Sequence, residues 1–259
     1  MPSSSIAITS ALVLLCSTTL LWLLSLRLRD SSIVDIFWAI GFVLIAWIGF
    51  ALGDGSPPRK LWLAALTTLW GLRLSGYLAM RNLGKGEDPR YQAMRKRHGD
   101  KWPLRSLFVV FILQGTLIFV ISLPLQVAAS IPTPAQLGIL DAVGIALVLL
   151  GTLFEATADF QLARFKSNPE HRGQVMTSGL WRYTRHPNYF GDFTVWWGLF
   201  CGAAATGTGV FAIISPLLMS FLLLRVSGVP LLEKSMQNRP GYADYVRRTS
   251  AFFPRPPKP

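Results

Sequence analysis

Charge is scarce in this sequence, and acid is scarcer than base. Only 15% of the 259 residues are charged, with 13 Asp or Glu against 25 Lys or Arg. Soluble domains carry about a quarter charged residues, so the soluble globular class is set aside first. Cysteine occurs twice, at Cys16 and Cys201, both in or beside apolar runs. That excludes a disulfide framework, and no Cys/His spacing fits a metal site, so no metal is expected. No GxGxxG motif is present, so a Rossmann domain is excluded as a nucleotide binder. Repeats and low-complexity segments are missing too, and the proline-rich end PRPPKP reads as a frayed tail. Met1 to Ser10 holds no Lys or Arg, which argues against a secretory signal peptide.

What remains is apolar. Hydrophobic residues make up 51% of the chain and mean hydropathy is +0.42. Runs of about 20 apolar residues span a bilayer, and seven are expected, at roughly 6–26, 33–52, 61–80, 107–129, 137–158, 189–206 and 209–227. The net charge of +12 could suggest nucleic acid, but its placement does not. Basic residues gather after spans one, three and five and in the tail. Segments 130–136 and 202–208 have none, and 53–60 has only Arg59 and Lys60. This is the positive-inside pattern. The expectation is an all-α integral membrane protein, one helical domain over 1–259, with the N-terminus outside and the C-terminus cytoplasmic. Nucleic acid is not an expected partner; membrane lipid is, and a monomer is the simplest state.

Ionisable groups inside a bilayer are costly and each is a site candidate. Asp35 opens span two, Arg73 lies inside span three, Glu155 and Asp159 lie near the end of span five, and Asp192 lies one turn into span six. On the inferred topology Asp35, Glu155, Asp159 and Asp192 share the cytoplasmic side, which suggests a polar cavity opening there. Asp35 and Arg73 could equally form a structural ion pair. Glu155 and Asp159, one helical turn apart, repel and need cationic or hydrogen-bonding partners. Arg225 reads as a snorkelling side chain. Gly41, Gly49, Gly198 and Gly202 read as close helix contacts.

The stretch TRHPNYFGD, residues 184–192, concentrates polarity at a helix mouth. Pro187 suits the first position of a helix, and a helix N-terminus suits an anion. Arg182, Arg185 and His186 surround it. Arg164, Lys166 and Arg172 add basic candidates for phosphates. Asn188 and Asp192 offer a donor and acceptors further in, and Trp181, Tyr183, Tyr189 and Trp196 offer flat surfaces for rings. Tyr242 and Tyr245, followed by Arg247 and Arg248, form either an amphipathic interfacial helix or a cap over a nucleotide.

The segment LWRYTRHPNYFGD resembles the signature of membrane-embedded steroid and sterol reductases. The spaced EATADFQLARFK and GYADYVRRTSAFFP match in the same order. The resemblance covers roughly 30–259, and length and layout fit the bacterial form of the steroid 5α-reductase branch best. It implies an inner-membrane enzyme (endoplasmic reticulum in a eukaryote) that reduces the double bond of a steroid or other lipid enone with NADPH. Asp159 and Lys166 then match positions that hold the adenosine and phosphates, and Arg73 a cofactor-contacting Arg. Asn188 and Asp192 match the nicotinamide side, and Tyr242 and Tyr245 the C-terminal tyrosines. Glu155 stands where the family has Asn. Asp35 stands where a Glu faces the substrate ketone, implying a protonated Asp35 that donates to the carbonyl. Trp70 replaces a Tyr that helps polarise that ketone; indole donates one hydrogen bond but is a poor acid, so Tyr77 on the same helix could take its place. The alternative is an S-adenosylmethionine-dependent membrane methyltransferase of the isoprenylcysteine type, which shares RHP-x-Y-x-G. Asn188, Asp192 and the basic residues after Asp159 favour the reductase. A third possibility is a non-catalytic sterol-binding protein.

Overall fold

The computed structural model describes residues 2–258, and all regular structure among them is helical. The long helices are α1 (Ser4–Leu28), α2 (Ile33–Leu52), α3 (Pro57–Asn82), α8 (Ile139–Ser167) and α9 (Pro187–Ala204). Shorter ones are α4 (Pro89–His98), α5 (Trp102–Ser106), α6 (Leu113–Ile121), α7 (Leu123–Ser130), α10 (Ile214–Phe221), α11 (Val229–Met236) and α12 (Tyr242–Arg248). Each of the seven apolar segments is helical over most of its length. Five helical stretches are long and apolar enough to cross a membrane: Ser4–Leu28, Ile33–Leu52, Pro89–Ile121, Ile139–Ser167 and Thr208–Met236. The less apolar two have visible causes. α3 carries Arg59, Lys60, Arg73 and Arg81, and α9 is only 18 residues long and holds Asn188 and Asp192.

Boundaries follow local chemistry. Proline occupies an early position of α3, α4 and α7, and α9 starts at Pro187 as its sequence suggests; the missing N–H costs nothing there. The expected basic loop after α3 is instead helical. Asp88 caps α4 by accepting from the Arg90 N–H at 2.9 Å, and the cap satisfies an otherwise orphaned donor. The fourth apolar run is not one helix either. It passes through a π-helical turn at Leu107–Ile112 and breaks at Ser122, before Pro124 opens α7.

The chain forms two compact units, Met1–Asp141 with Gly202–Ala212, and Ala142–Cys201 with Ile213–Pro259. In the first, Phe42, Trp70, Phe111, Ile118 and Leu125 are fully buried, while large side chains such as Leu20 (66% exposed) and Phe211 (82%) face outward. So much exposed apolar surface suits hydrocarbon rather than water. Against lipid, helices associate by close packing, which favours small residues. A Cβ on Gly41 would lie 2.8 Å from Ile118, on Gly49 2.9 Å from Ala129, and on Gly202 2.5 Å from Trp62, so these glycines are helix contacts as read from sequence. Missed by the sequence reading is a fully buried ion pair: Arg59 grips both oxygens of Asp141 at 2.8 Å. Trp62 and the Gly138 N–H also donate to Asp141, and Arg59 donates to the carbonyls of Pro134 and Gln136.

Candidate functional site

The second unit is organised by glycines. A Cβ on Gly151 would lie 2.7 Å from the Gly191 carbonyl, and one on Gly198 would lie 2.8 Å from the Gly144 carbonyl. Both pairs are seven residues apart along their helices, two turns, so α8 and α9 run antiparallel with backbones touching. A Cβ on Gly191 would lie 2.6 Å from the Glu155 Cβ, which puts Glu155 directly against the α9 backbone. Glu155 and Asp159 are each 3% exposed and Asp192 8%. Three acids are thus buried on one tight helix pair. Asn188 is half-buried, and its Oδ1 has no hydrogen-bond partner; neither has the Trp197 Nε1. Buried polar atoms are nearly always satisfied, so an open acceptor beside three buried acids marks a place where a ligand with N–H or O–H groups fits.

The residues before α9 join distant segments of the second unit. Arg185 donates from Nε and Nη2 to Glu233 Oε1 at 2.9 and 2.7 Å, and from Nη1 to the carbonyls of Thr249 and Val246 at 2.6 and 3.2 Å. Those carbonyls end α12, where a cation is favoured. His186, 1% exposed, meets the same Glu233 oxygen at 3.2 Å and stacks on Tyr189. Burial pushes the His186 imidazole down, against the upward pull of Glu233. With four of its five N–H donors engaged, Arg185 clamps Glu233 and the end of α12 to the start of α9. Glu233 gave no sequence signal, being separated from Arg185 by two helices.

The tail is clamped as well. The Arg185 N–H donates to Ser250, Thr184 Oγ1 to the Phe252 carbonyl, the Arg255 N–H to Tyr183, and the Lys258 N–H to Arg248. The expected frayed end is therefore pinned along residues 183–185. Tyr242 and Tyr245 are buried, and burial raises both phenols. The Tyr245 hydroxyl donates to the Trp181 carbonyl at 2.5 Å, and Trp181 Nε1 donates to Ala158 at 3.1 Å. These rings hold the tail. Tyr245→Phe should lower the melting temperature by the worth of one buried hydrogen bond, about 1 kcal/mol. A variant that melts with wild type would remove this role. Arg164, Lys166, Arg172 and Arg182 are exposed, as is Tyr183.

In the first unit, Asp35 is not isolated. Its Oδ1 accepts from the Tyr91 hydroxyl and its Oδ2 from Arg90 Nη2, both at 2.6 Å. Arg90 also bridges to Asp88 at 2.9 Å, and Gln114 Nε2 donates to the Tyr91 hydroxyl at 3.3 Å. Next to this, Arg95 grips Glu87 at 2.8 and 2.9 Å, and the Ser31 N–H donates to Glu87 at 2.8 Å. The network ties the α1–α2 turn to the start of α4. Both oxygens of Asp35 thus accept a hydrogen bond from α4. Trp70 is fully buried among core rings, 6.0 Å from Phe42, and Arg81 lies over the Tyr77 ring. Arg73 is half-buried on α3. Arg90, Tyr91 and Gln114 were missed because they lie in what reads as a basic loop and a featureless span; the Asp-Pro helix start was the available signal.

Burial alone would raise the Glu87 carboxyl, but its bonds from Arg95 and Ser31 outweigh that and hold it below the usual range. Such a group stabilises the fold above its unfolded pKa, about 4.3, and loses that contribution as pH falls through the folded value. Glu87→Gln should therefore melt earlier than wild type at neutral pH, with the gap closing as pH falls below about 4. Thermal melts in detergent at stepped pH check this, and a gap independent of pH would contradict it.

Comparison with known proteins adds lineage. A model of a family described as a protein of unknown function (DUF1295) matches residues 21–249. An uncharacterized protein of Schizosaccharomyces pombe is 26% identical over 262 residues, covering 91% of this chain and 76% of its own. No solved structure matches.

Proposed function

The chain belongs to the DUF1295 family, and from that premise we propose an NADPH-dependent membrane reductase. Its substrate is a 3-oxo-Δ4 steroid or a similar lipid enone. The reading takes α3 and α9 as spans beside the five more apolar stretches, giving seven, with the basic segments and C-terminus in the cytoplasm of a bacterial cell. The observation that carries it is the open Asn188 acceptor beside three buried acids on the glycine-locked α8–α9 pair.

Those residues fit the cofactor at one end. Asn188 Oδ1 would accept from the carboxamide, and the acids would accept from ribose hydroxyls. At the other end Arg164, Lys166 and Arg172 would hold phosphates, being exposed; Arg185 and His186 would not. When bound, NADPH supplies a hydride for the β-carbon of the enone. The carbonyl oxygen then gathers negative charge, and a preorganised donor there lowers the barrier. The donor is assigned to Tyr77, which the resemblance offers in place of the Tyr replaced by Trp70. Water protonates the α-carbon.

Tyr77→Phe should lower turnover by on the order of a hundredfold, the worth of one such donor, with NADPH affinity nearly intact. Steady-state NADPH oxidation and a binding titration on the same variant separate the two effects. Equal loss of both would remove Tyr77 from the chemistry.

A further inference from the structure

Two sets of basic residues in the first unit contrast. Arg59, Arg90 and Arg95 are neutralised by carboxylates at 2.6–2.8 Å. Lys96, Arg97, Lys101 and Arg105 are exposed, and among the described residues none of them forms an ion pair. Arg105 Nη1 instead donates to His98 Nδ1 at 3.2 Å, and His98 stacks flat on Trp102. The fold thus leaves four positive charges without ion pairs, against a single exposed acid of the same segment, Asp100, toward one end of the Pro89–Ile121 stretch.

From that end the chain runs into a groove. It lies between α1 and α6, has a volume of about 250 Å³, and is lined by Ala11, Leu15, Ile112, Gly115 and Phe119 among others. Two threonines line it, but Thr18 Oγ1 donates to the Leu14 carbonyl at 2.8 Å and Thr116 Oγ1 to Ile112 at 2.9 Å. Their hydroxyls are satisfied within their own helices, so the groove is suited to hydrocarbon. Trp22 of α1 donates to the Pro103 carbonyl at 2.8 Å, fastening α1 to the basic end. Ile112 follows Arg105 by seven residues, at most about 10 Å along the axis because the π-helical turn at Leu107–Ile112 rises less per residue, within the reach from a phospholipid headgroup to its upper acyl chain.

We propose that this groove and basic end bind one anionic phospholipid, with its phosphate at Lys101 and Arg105 and an acyl chain along α1 and α6. The charge complementarity selects the headgroup, since each basic residue near an anionic lipid surface favours binding. The apolar lining selects the chain. The site lies wholly within the first unit and is independent of the reductase reading.

Retention of dioleoylphosphatidylglycerol and dioleoylphosphatidylcholine by the purified full chain, compared by native mass spectrometry without NADPH, tests it. Wild type should favour the anionic lipid about tenfold or more. Lys101→Gln with Arg105→Gln should abolish the preference. Ala11→Trp, which fills the groove from an exposed position, should weaken both lipids and keep the preference. All three side chains are exposed, so the variants should melt with wild type in lipid-free detergent. Equal retention by wild type, or a preference that survives the double variant, would overturn the proposal. So would displacement of the lipid by millimolar inorganic phosphate, which would make this an anion site without a lipid.

Discussion

Asp141→Ala should destabilise the protein by about 3–5 kcal/mol, the usual cost of breaking a buried ion pair and leaving one charge without its partner. Arg59 and Asp141 are both fully buried, and the carboxylate is also the acceptor for Trp62 and Gly138. Removing it strands three donors at once. Replacing both partners, Arg59→Met with Asp141→Leu, should recover much of the loss, because the desolvation of two charges is then no longer required. Melting in detergent, or yield from membranes where the variant does not survive purification, reads the difference. A single variant as stable as wild type would show that the pair is not the anchor of the α3 and α8 starts.

Gly191→Ala should be nearly as damaging, and it reaches the candidate site. The added Cβ would sit 2.6 Å from the Glu155 Cβ, and 2.7 Å from the Glu155 nitrogen and the Gly151 carbonyl. Two of these three are backbone atoms, so no rotamer change relieves the clash and α8 and α9 must separate. Overpacking of this kind costs about 1–3 kcal/mol. On the proposed function, cofactor affinity falls further than stability does, because Glu155 and Asn188 are displaced relative to each other. Gly76→Ala is the control, since nothing lies within 4 Å of a Cβ there. Unchanged NADPH binding in a folded Gly191→Ala protein would separate the helix contact from the site.

Much of the fold was legible because hydropathy is a one-dimensional signal. The seven apolar segments are helical over most of their length, and Pro187 begins α9 where an early proline is allowed. The close contacts at Gly41, Gly49, Gly198 and Gly202 were legible for a similar reason, since glycine in an apolar helix has few other uses. Partners were not legible. Arg73 stood as a possible ion-pair partner for Asp35, yet the bonds of Asp35 go to Arg90 and Tyr91 on a short helix hidden in a run of charge. Arg185 and His186 read as an anion site by position, but Glu233 meets them from a distant segment. Side-chain pairing across helices depends on rotation and tilt, which periodicity does not encode. The π-helical turn at Leu107–Ile112 shifts the phase of its helix and has no sequence mark of its own.

The most direct measurement is NADPH absorbance with the purified protein in detergent, with and without progesterone, followed by product mass. The account predicts steroid-dependent NADPH oxidation and a product heavier by two hydrogens, both formed about a hundredfold more slowly in Tyr77→Phe. Absence of NADPH binding, together with binding of S-adenosylmethionine, would contradict it and make the α8–α9 site that of a methyltransferase.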